Sequence, residues 1–147
     1  MMIDIREPTL ADKPKWLPLW QGYLTFYRSS LPDAVTDLTW RRLHDPDEPM
    51  HIAAAFDGET MVGFTHFTFH RSTWSAHTYC YLEDLFVAEA ARGRGIARRL
   101  ILTVADAARH HKCGRLYWST HETNATARAL YDTVANVSGF IQYRMPL

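Results

Sequence analysis

The sequence has few cysteines, no excess charge of either sign and no long apolar run. Its 147 residues contain two cysteines, Cys80 and Cys113, too few for a disulfide framework, which predicts reduced thiols and a cytoplasmic location. The 16 basic and 16 acidic side chains balance, whereas nucleic-acid-binding proteins usually carry a basic excess. No stretch approaches the ~18 apolar residues of a membrane span, and MMIDIREPTL lacks the apolar segment of a signal peptide. We therefore expect neither a nucleic-acid nor a membrane partner.

The composition is that of a folded protein, with 47% hydrophobic and 13% aromatic residues. The length predicts a single domain over residues 1–147. Apolar spacing predicts strands in MIDIRE, MHIAAAF, TMVGFTHFTFH, TYCYLEDLFV, RLYWST and GFIQYRM, and helices at 14–29, 33–44, 95–111 and 124–137. Pro18 predicts a late start or a kink in the first helix. This order predicts an α/β fold, a mixed and mostly antiparallel sheet with helices on both faces.

The segment RGRGIA, residues 92–97, lies between a predicted strand and a predicted helix. The first amides of a helix have no intrahelical partner and attract phosphate, and Gly93 and Gly95 allow a close backbone approach. A turn before a solvated basic helix face is the simpler alternative. The arginines that can add charge-assisted hydrogen bonds are Arg92, Arg94, Arg98 and Arg99.

Two common nucleotide motifs do not fit this segment. A phosphate-binding P-loop ends in Gly-Lys-Ser/Thr, which GRGIARR lacks. A dinucleotide-binding fingerprint starting at Gly93 needs a small residue where Arg98 stands.

RGRGIA does have the Q/R-x-x-G-x-G/A pattern of the GNAT N-acetyltransferase superfamily, and the sequence resembles that superfamily from about residue 60 to 145. NATARALY, residues 124–131, is similar to the family's N-x-x-A-x-x-L-Y helix, and YLEDLFV and LYWSTHETN are most similar to its polyamine, amino-acid and histone acetyltransferase branch. The resemblance implies the GNAT acyl-CoA N-acyltransferase fold and acetyl-CoA as co-substrate. No metal is expected, because His66 and His70 have no third ligand near them in the sequence. The residues that the resemblance implies at the cofactor are Leu85, Phe86, Val87, Arg92, Gly93, Arg94, Gly95, Ile96, Ala97, Arg98, Asn124, Ala127 and Tyr131.

Acetyl transfer to an amine needs a base for the ammonium and a proton for the departing thiolate. The resemblance implies Glu83 as the base and Tyr131 as the acid, and burial in an apolar strand is expected to raise the pKa of Glu83. In an ideal strand Asp84 points to the opposite face, so one member of this pair is expected to reach the cleft. A structural role for either acid, or for the tyrosine, is the alternative. Gly139 follows Tyr131 by eight positions, more than is common in the family, which predicts a longer helix or loop behind the tyrosine.

The predicted function is N-acetylation of a primary amine of a small molecule, of polyamine or amino-acid type, or of a peptide, by a homodimer. An aromatic wall from Trp16, Trp20, Tyr23 and Tyr27, with Asp33 or Asp37, is a candidate surface for a cationic amine. Alternatives are a longer acyl donor and a CoA-binding sensor without turnover, and a purely structural role leaves the 92–97 turn unexplained. The pair Glu83 and Tyr131 favours the enzyme.

Overall fold

The computed structural model describes residues 2–147 and is built around one five-stranded sheet in the order β1-β2-β3-β4-β5. The first three pairings are antiparallel and the last, between β4 and β5, is parallel. This mixed, mostly antiparallel sheet confirms the predicted fold class. The strands are β1 Ile3–Arg6, β2 Met50–Asp57, β3 Thr60–Arg71, β4 Thr78–Val87 and β5 Leu116–Tyr117.

Four α-helices flank the sheet: α1 Lys13–Phe26, α2 Asp33–Leu43, α3 Ile96–His110 and α4 Ala125–Tyr131. Short 3-10 turns precede α1 and α3, at Leu10–Asp12 and Glu89–Ala91. Helix α1 begins at Lys13 and continues through Pro18, so the expectation of a late start was wrong. None of the helices in the described part of the chain combines the length and the apolar character that a membrane span requires.

The two faces of the sheet carry different cores. On one face, α1 and α2 place Trp16, Trp20 and Trp40 against Phe64, and the rings of Trp16 and Trp40 lie 4.8 Å apart. On the other face, α3 buries Leu100 and Val104 completely against the sheet. Because α3 packs along one stripe, its first turn is held firmly at the end of β4.

The C-terminal third departs from the sequence-based expectations. Strand β5 has two residues instead of six, and α4 ends at Tyr131 instead of 137. Hydrogen-bonded turns follow α4 as far as Ala135, which accounts for the long spacing to Gly139. The predicted strand GFIQYRM forms no strand in the described chain. Alternating apolar residues give this segment a strand pattern, but a strand also needs a partner, and none of the five strands pairs with it.

Candidate active site

The site begins where β5 diverges from β4. The two strands pair at Cys80 and Tyr81, while β4 continues to Val87. Within residues 2–147, the later half of β4 therefore has no partner strand on that side. A cavity of about 480 Å³ opens along this edge, between the first turn of α3, helix α4 and the end of α1. The free edge of β4 offers backbone groups to an extended ligand.

The first turn of α3 forms one wall of this cavity. Gly93 and Gly95 have φ of +81° and +73°, a left-handed conformation that favours glycine. Gly95 caps α3 without a side chain, and the first helical hydrogen bond runs from the N–H of Arg99 to the carbonyl of Gly95. The amides of the residues between them point out of the helix end, where they can donate to an anion.

The arginines around the turn have different partners. Arg92 folds back onto the end of the preceding strand β4, where its Nε donates to the Val87 carbonyl at 3.0 Å. Arg98 donates to the Thr133 hydroxyl at 2.9 Å, and Arg99 donates to the Ile3 carbonyl on the far side of the helix. Arg92 and Arg98 line the cavity, whereas Arg94 and Arg99 are outside its lining. Because both cavity-lining arginines have partners within the protein, the backbone amides of the helix end are the groups best placed to donate to an anion, and Arg92 also holds the turn against β4.

A β-bulge in β4 sets the direction of the two adjacent carboxylates. His66 of β3 pairs with Asp84 and Phe67 pairs with Leu82, so Glu83 is an extra residue. Before the bulge, Leu82 packs on the α3 face, whereas Asp84 after it faces His66 on the α1 face. Asp84 is therefore on the α1 side, and Glu83 is the unpaired residue of the bulge. The ideal alternation fails because the bulge shifts the register by one residue.

Asp84 is held by a buried hydrogen-bond chain. The indole N–H of Trp16 donates to Nε2 of His66 at 3.1 Å, and Nδ1 of His66 lies 2.9 Å from Oδ2 of Asp84. Since the indole can only donate, the ring proton of His66 is on Nδ1 and is donated to the carboxylate. Asp84 is thereby fixed beside Tyr23, whose pKa rises because of burial and the nearby Asp84 charge. The sequence did not predict these hydrogen bonds, because the strand register that brings His66 to Asp84 includes the bulge.

Glu83 lies next to the cavity and not in its lining, which begins on β4 at Leu85. Its side chain is exposed, yet the surrounding protein atoms raise the pKa of its carboxyl above the usual value, and Asp84 raises it further. The hydrogen bond with Tyr81 and the charge of Arg144 act in the opposite direction. A carboxylate with a raised pKa is a better proton acceptor at neutral pH than an ordinary glutamate.

Tyr131 lies in the cavity wall on α4, with its ring centroid 5.5 Å from that of Trp118. Burial raises the pKa of Tyr131, and Tyr27 across the cavity adds to this effect, so its hydroxyl keeps its proton. The pKa of Tyr27 is also raised, mainly by burial and in addition by the charge of Asp84. Asn124 caps α4 by accepting the N–H of Ala127 at 3.3 Å and also lines the cavity.

The cavity brings together twelve of the thirteen residues predicted at the cofactor, all except Arg94. Further lining residues were missed: Tyr23, Phe26, Tyr27, Ala91, Thr126 and Leu130. The proposed aromatic wall is only partly present, because Trp16 and Trp20 are buried in the core. Asp37 forms an ion pair with Lys13 at 2.6 Å. A second cavity of about 300 Å³, beside Arg71–Thr78, contains none of the predicted residues.

Comparison with known proteins agrees with this geometry. The model of the acetyltransferase (GNAT) family matches residues 16–134. This chain belongs to the GNAT family. The D-amino-acid N-acetyltransferase HPA3 of Saccharomyces cerevisiae is 34% identical over 97% of this chain and 92% of its own. The thialysine N-epsilon-acetyltransferase of Caenorhabditis elegans is 36% identical over 67% of this chain and 64% of its own.

A solved aminoglycoside N-acetyltransferase in complex with CoA has the same fold, with a TM-score of 0.83 at 18% identity over 99% of this chain and 96% of that one. As a GNAT enzyme, the protein transfers an acetyl group from acetyl-CoA to an amine. Its cavity fits this co-substrate. The end of α3 has no side-chain cap and can bind the phosphate groups, and the adjoining free edge of β4 can pair with the extended arm of the co-substrate.

The glycine turn gives a test with a matched control. Gly95→Glu places a carboxylate at the anion-binding amides, so we expect the Kd for acetyl-CoA to rise by at least about 100-fold in calorimetric titration. Gly58→Glu adds the same side chain at the β2–β3 hairpin, where φ is +59° and the surrounding space is equally open. Both variants carry similar left-handed strain of about 1–2 kcal/mol. Equal affinities in the two variants would rule out the turn as the phosphate site.

Proposed function

We propose that this enzyme acetylates the primary amine of a small, amino-acid-type molecule. The proposal rests on the position of two carboxylates near the end of β4. Glu83 and Asp84 lie next to the cavity that the first turn of α3 lines. Two carboxylates beside the cavity suit a cationic amine, and Tyr23 and Tyr27 in the cavity lining add aromatic faces that can contact it. The two relatives named above, whose printed names give D-amino acids and thialysine as substrates, support an amino-acid acceptor over a polyamine or a peptide.

Glu83 is the proposed base. A primary amine has a pKa of about 10, so a bound ammonium must lose a proton before it attacks the thioester that acetyl-CoA supplies. Glu83 is two residues from the cavity lining, about 7 Å along the strand, a separation that its side chain and one bridging water molecule can span together. Asp84 is occupied by His66, which favours it as a fixed negative charge beside the ammonium.

Tyr131 is the proposed proton donor to the departing thiolate. Its hydroxyl keeps its proton because burial raises its pKa, and it shares the cavity with the backbone of Leu85–Val87. A main-chain amide of that β4 segment is the proposed partner of the thioester oxygen. Base and acid then lie on opposite sides of the reacting carbonyl.

A cytoplasmic location and a dimeric state belong to the same proposal. Both cysteines are free thiols, and burial raises the pKa of Cys80 to about 12, which keeps it protonated and unreactive. A longer acyl donor is the competing function. The donor is tested by replacing acetyl-CoA with longer acyl-CoA thioesters in the same turnover assay.

The acceptor class is tested by screening amines for release of free CoA. We expect the highest kcat/KM for free amino acids of either hand and for thialysine, as the printed names of the two relatives indicate, lower values for spermidine, and the lowest for a histone-tail peptide. Much faster turnover of the peptide would contradict the small-molecule acceptor. Tight acetyl-CoA binding without turnover of any amine would indicate the sensor instead.

Substitution of Glu83 should change the pH dependence. In the native enzyme kcat/KM falls as pH drops through the raised pKa of Glu83, because the protonated carboxyl no longer accepts a proton. Glu83→Gln should lower kcat/KM by about 10²–10⁴-fold near neutral pH, and alkaline pH should restore part of it by supplying free amine. Asp84→Asn is the matched control, because it removes an adjacent charge and should show no alkaline rescue. Rescue in Asp84→Asn alone would transfer the base role to Asp84.

Substitution of Tyr131 should separate chemistry from binding. Tyr131→Phe removes only the hydroxyl, so acetyl-CoA should bind with unchanged Kd while kcat falls by about 10²–10⁴-fold without alkaline rescue. Tyr23→Phe, which changes the other side of the same cavity, is the control and should leave kcat within about threefold. Full activity of Tyr131→Phe with a lowered melting temperature would make the hydroxyl structural.

A further inference from the structure

Three tyrosines form a surface on the α1 side of the sheet, before the bulge in β4. This tyrosine surface consists of Tyr79, Tyr81 and Tyr117. Cys80 and Leu116 pack in the cluster under α3, and strand alternation places their tyrosine neighbours on the opposite side. The rings of Tyr81 and Tyr117 lie 4.9 Å apart. All three tyrosines are half-buried, and in the described chain none of them belongs to a core cluster, so their outer sides are open to a ligand.

The tyrosine surface has a negative charge at one end and a positive charge at the other. Tyr81 lies two residues before Glu83, and its pKa is raised by burial and then by the Glu83 charge. The pKa of Tyr117 is also raised by burial, while the charge of Arg115 lowers it and that of Glu83 raises it. Both charges are therefore close to the surface that Tyr81 and Tyr117 share.

The positive end is an arginine that is held by aromatic rings and has no acidic partner. The guanidinium of Arg115 lies 4.2 Å from the ring centroid of Tyr79 and 4.7 Å from that of Tyr117. Its side chain is exposed, and within residues 2–147 no carboxylate forms an ion pair with it. Stacking on rings leaves the N–H donors at the edge of the guanidinium free, and this planar fork matches a carboxylate.

We propose that Arg115 binds the carboxylate of the acceptor, which lies along the tyrosine surface with its reacting amine towards the cavity. This inference rests on the amino-acid-type acceptor proposed above, and adds the residue that recognises the acid group. The charges match such an acceptor end to end. Arg115 faces its carboxylate, and the acidic groups of Glu83 and Asp84 adjoin its ammonium.

The length of the tyrosine surface selects which amine reacts. Arg115 lies over Tyr117, whose strand partner is Tyr81, and the proposed thioester site begins at Leu85. The four residues from Tyr81 to Leu85 span about 13 Å. Contact with the guanidinium and attack on the carbonyl take up about 3 Å each, which leaves about 7 Å. An α-amine is only about 2.5 Å from its carboxylate carbon, whereas the side-chain amine of lysine or thialysine is about 7–8 Å away. The geometry therefore favours the side-chain amine.

The first test measures binding and needs no acetyl transfer. Thialysine is titrated calorimetrically into the complex of the protein with CoA. Arg115→Ala should raise the Kd of thialysine by about 10- to 100-fold, because a charge-assisted pair is lost. Arg115→Lys keeps the charge and should recover part of this affinity. The Kd of bis(2-aminoethyl) sulfide, which is thialysine without its carboxylate, should change by less than about threefold in Arg115→Ala.

Arg71→Ala is the matched control for the loss of a positive charge. Arg71 is the last residue of β3 and lines the second cavity, beside His111 at the end of α3, so it lies on the other side of the sheet. Its removal should leave the Kd of thialysine within about threefold. Equal losses of affinity in the two alanine variants, equal losses for the two ligands, or no binding of thialysine to the native complex would each overturn the carboxylate site.

The binding test also separates this inference from the proposed function. Arg115-dependent binding of thialysine in a protein that acetylates no amine would support the carboxylate site and contradict the proposed function. In an active enzyme, Arg115→Ala should raise the KM of thialysine by a similar factor of about 10–100 and leave kcat within about threefold, since Arg115 is remote from the reacting carbonyl.

The second test identifies the amine that reacts. Thialysine and lysine are incubated with acetyl-CoA, and the products are fragmented in a mass spectrometer to locate the acetyl group. Acetylation of the side-chain amine is the expected result for both. Acetylation mainly of the α-amine would overturn the proposed orientation, because a carboxylate held at Arg115 keeps the α-amine away from Leu85.

Discussion

The divergence of β5 from β4 after two paired residues is the constraint on which the site depends. If the strands stayed paired, their side chains would close the sheet and leave no cavity. Because they separate, β4 keeps a free backbone edge beside the first turn of α3. The helix end and the strand edge are useful only together, since one attracts an anion and the other accepts an extended chain. The core under α3, with Leu100 and Val104 fully buried, fixes their relative position.

The bulge at Glu83 adds the acidic groups to this frame. A regular β4 would send Glu83 and Asp84 to opposite faces of the sheet, and one of them would be buried under α3. The extra residue breaks this alternation: Asp84 faces the α1 side, where His66 holds it, while Glu83 stays exposed. Two neighbouring carboxylates with different partners can then take different roles: Asp84 as a fixed charge and Glu83 as a group that exchanges protons with solvent.

The sequence predicted the features that depend on local signals. Strand 78–87 and the glycine turn are as expected, because apolar runs and positive-φ glycines leave local patterns, and α3 begins within one residue of the predicted start. The bulge and the His66–Asp84 bond were not predictable, since they depend on the register between strands. The segment 139–145 was predicted as a strand because alternation reports the tendency of a segment and not whether a partner is present.

Amide NMR with CoA tests the central claim most directly, because it reports on the proposed anion-binding groups themselves. As CoA is titrated, the backbone amide signals of Gly95, Ile96 and Ala97 should shift most, and those of Leu85–Val87 should shift at the same CoA concentrations. The amides around Gly58, in a turn of similar geometry, should not move. Shifts concentrated around the second cavity at Arg71–Thr78, with the α3 amides unchanged, would contradict a phosphate site at the glycine turn.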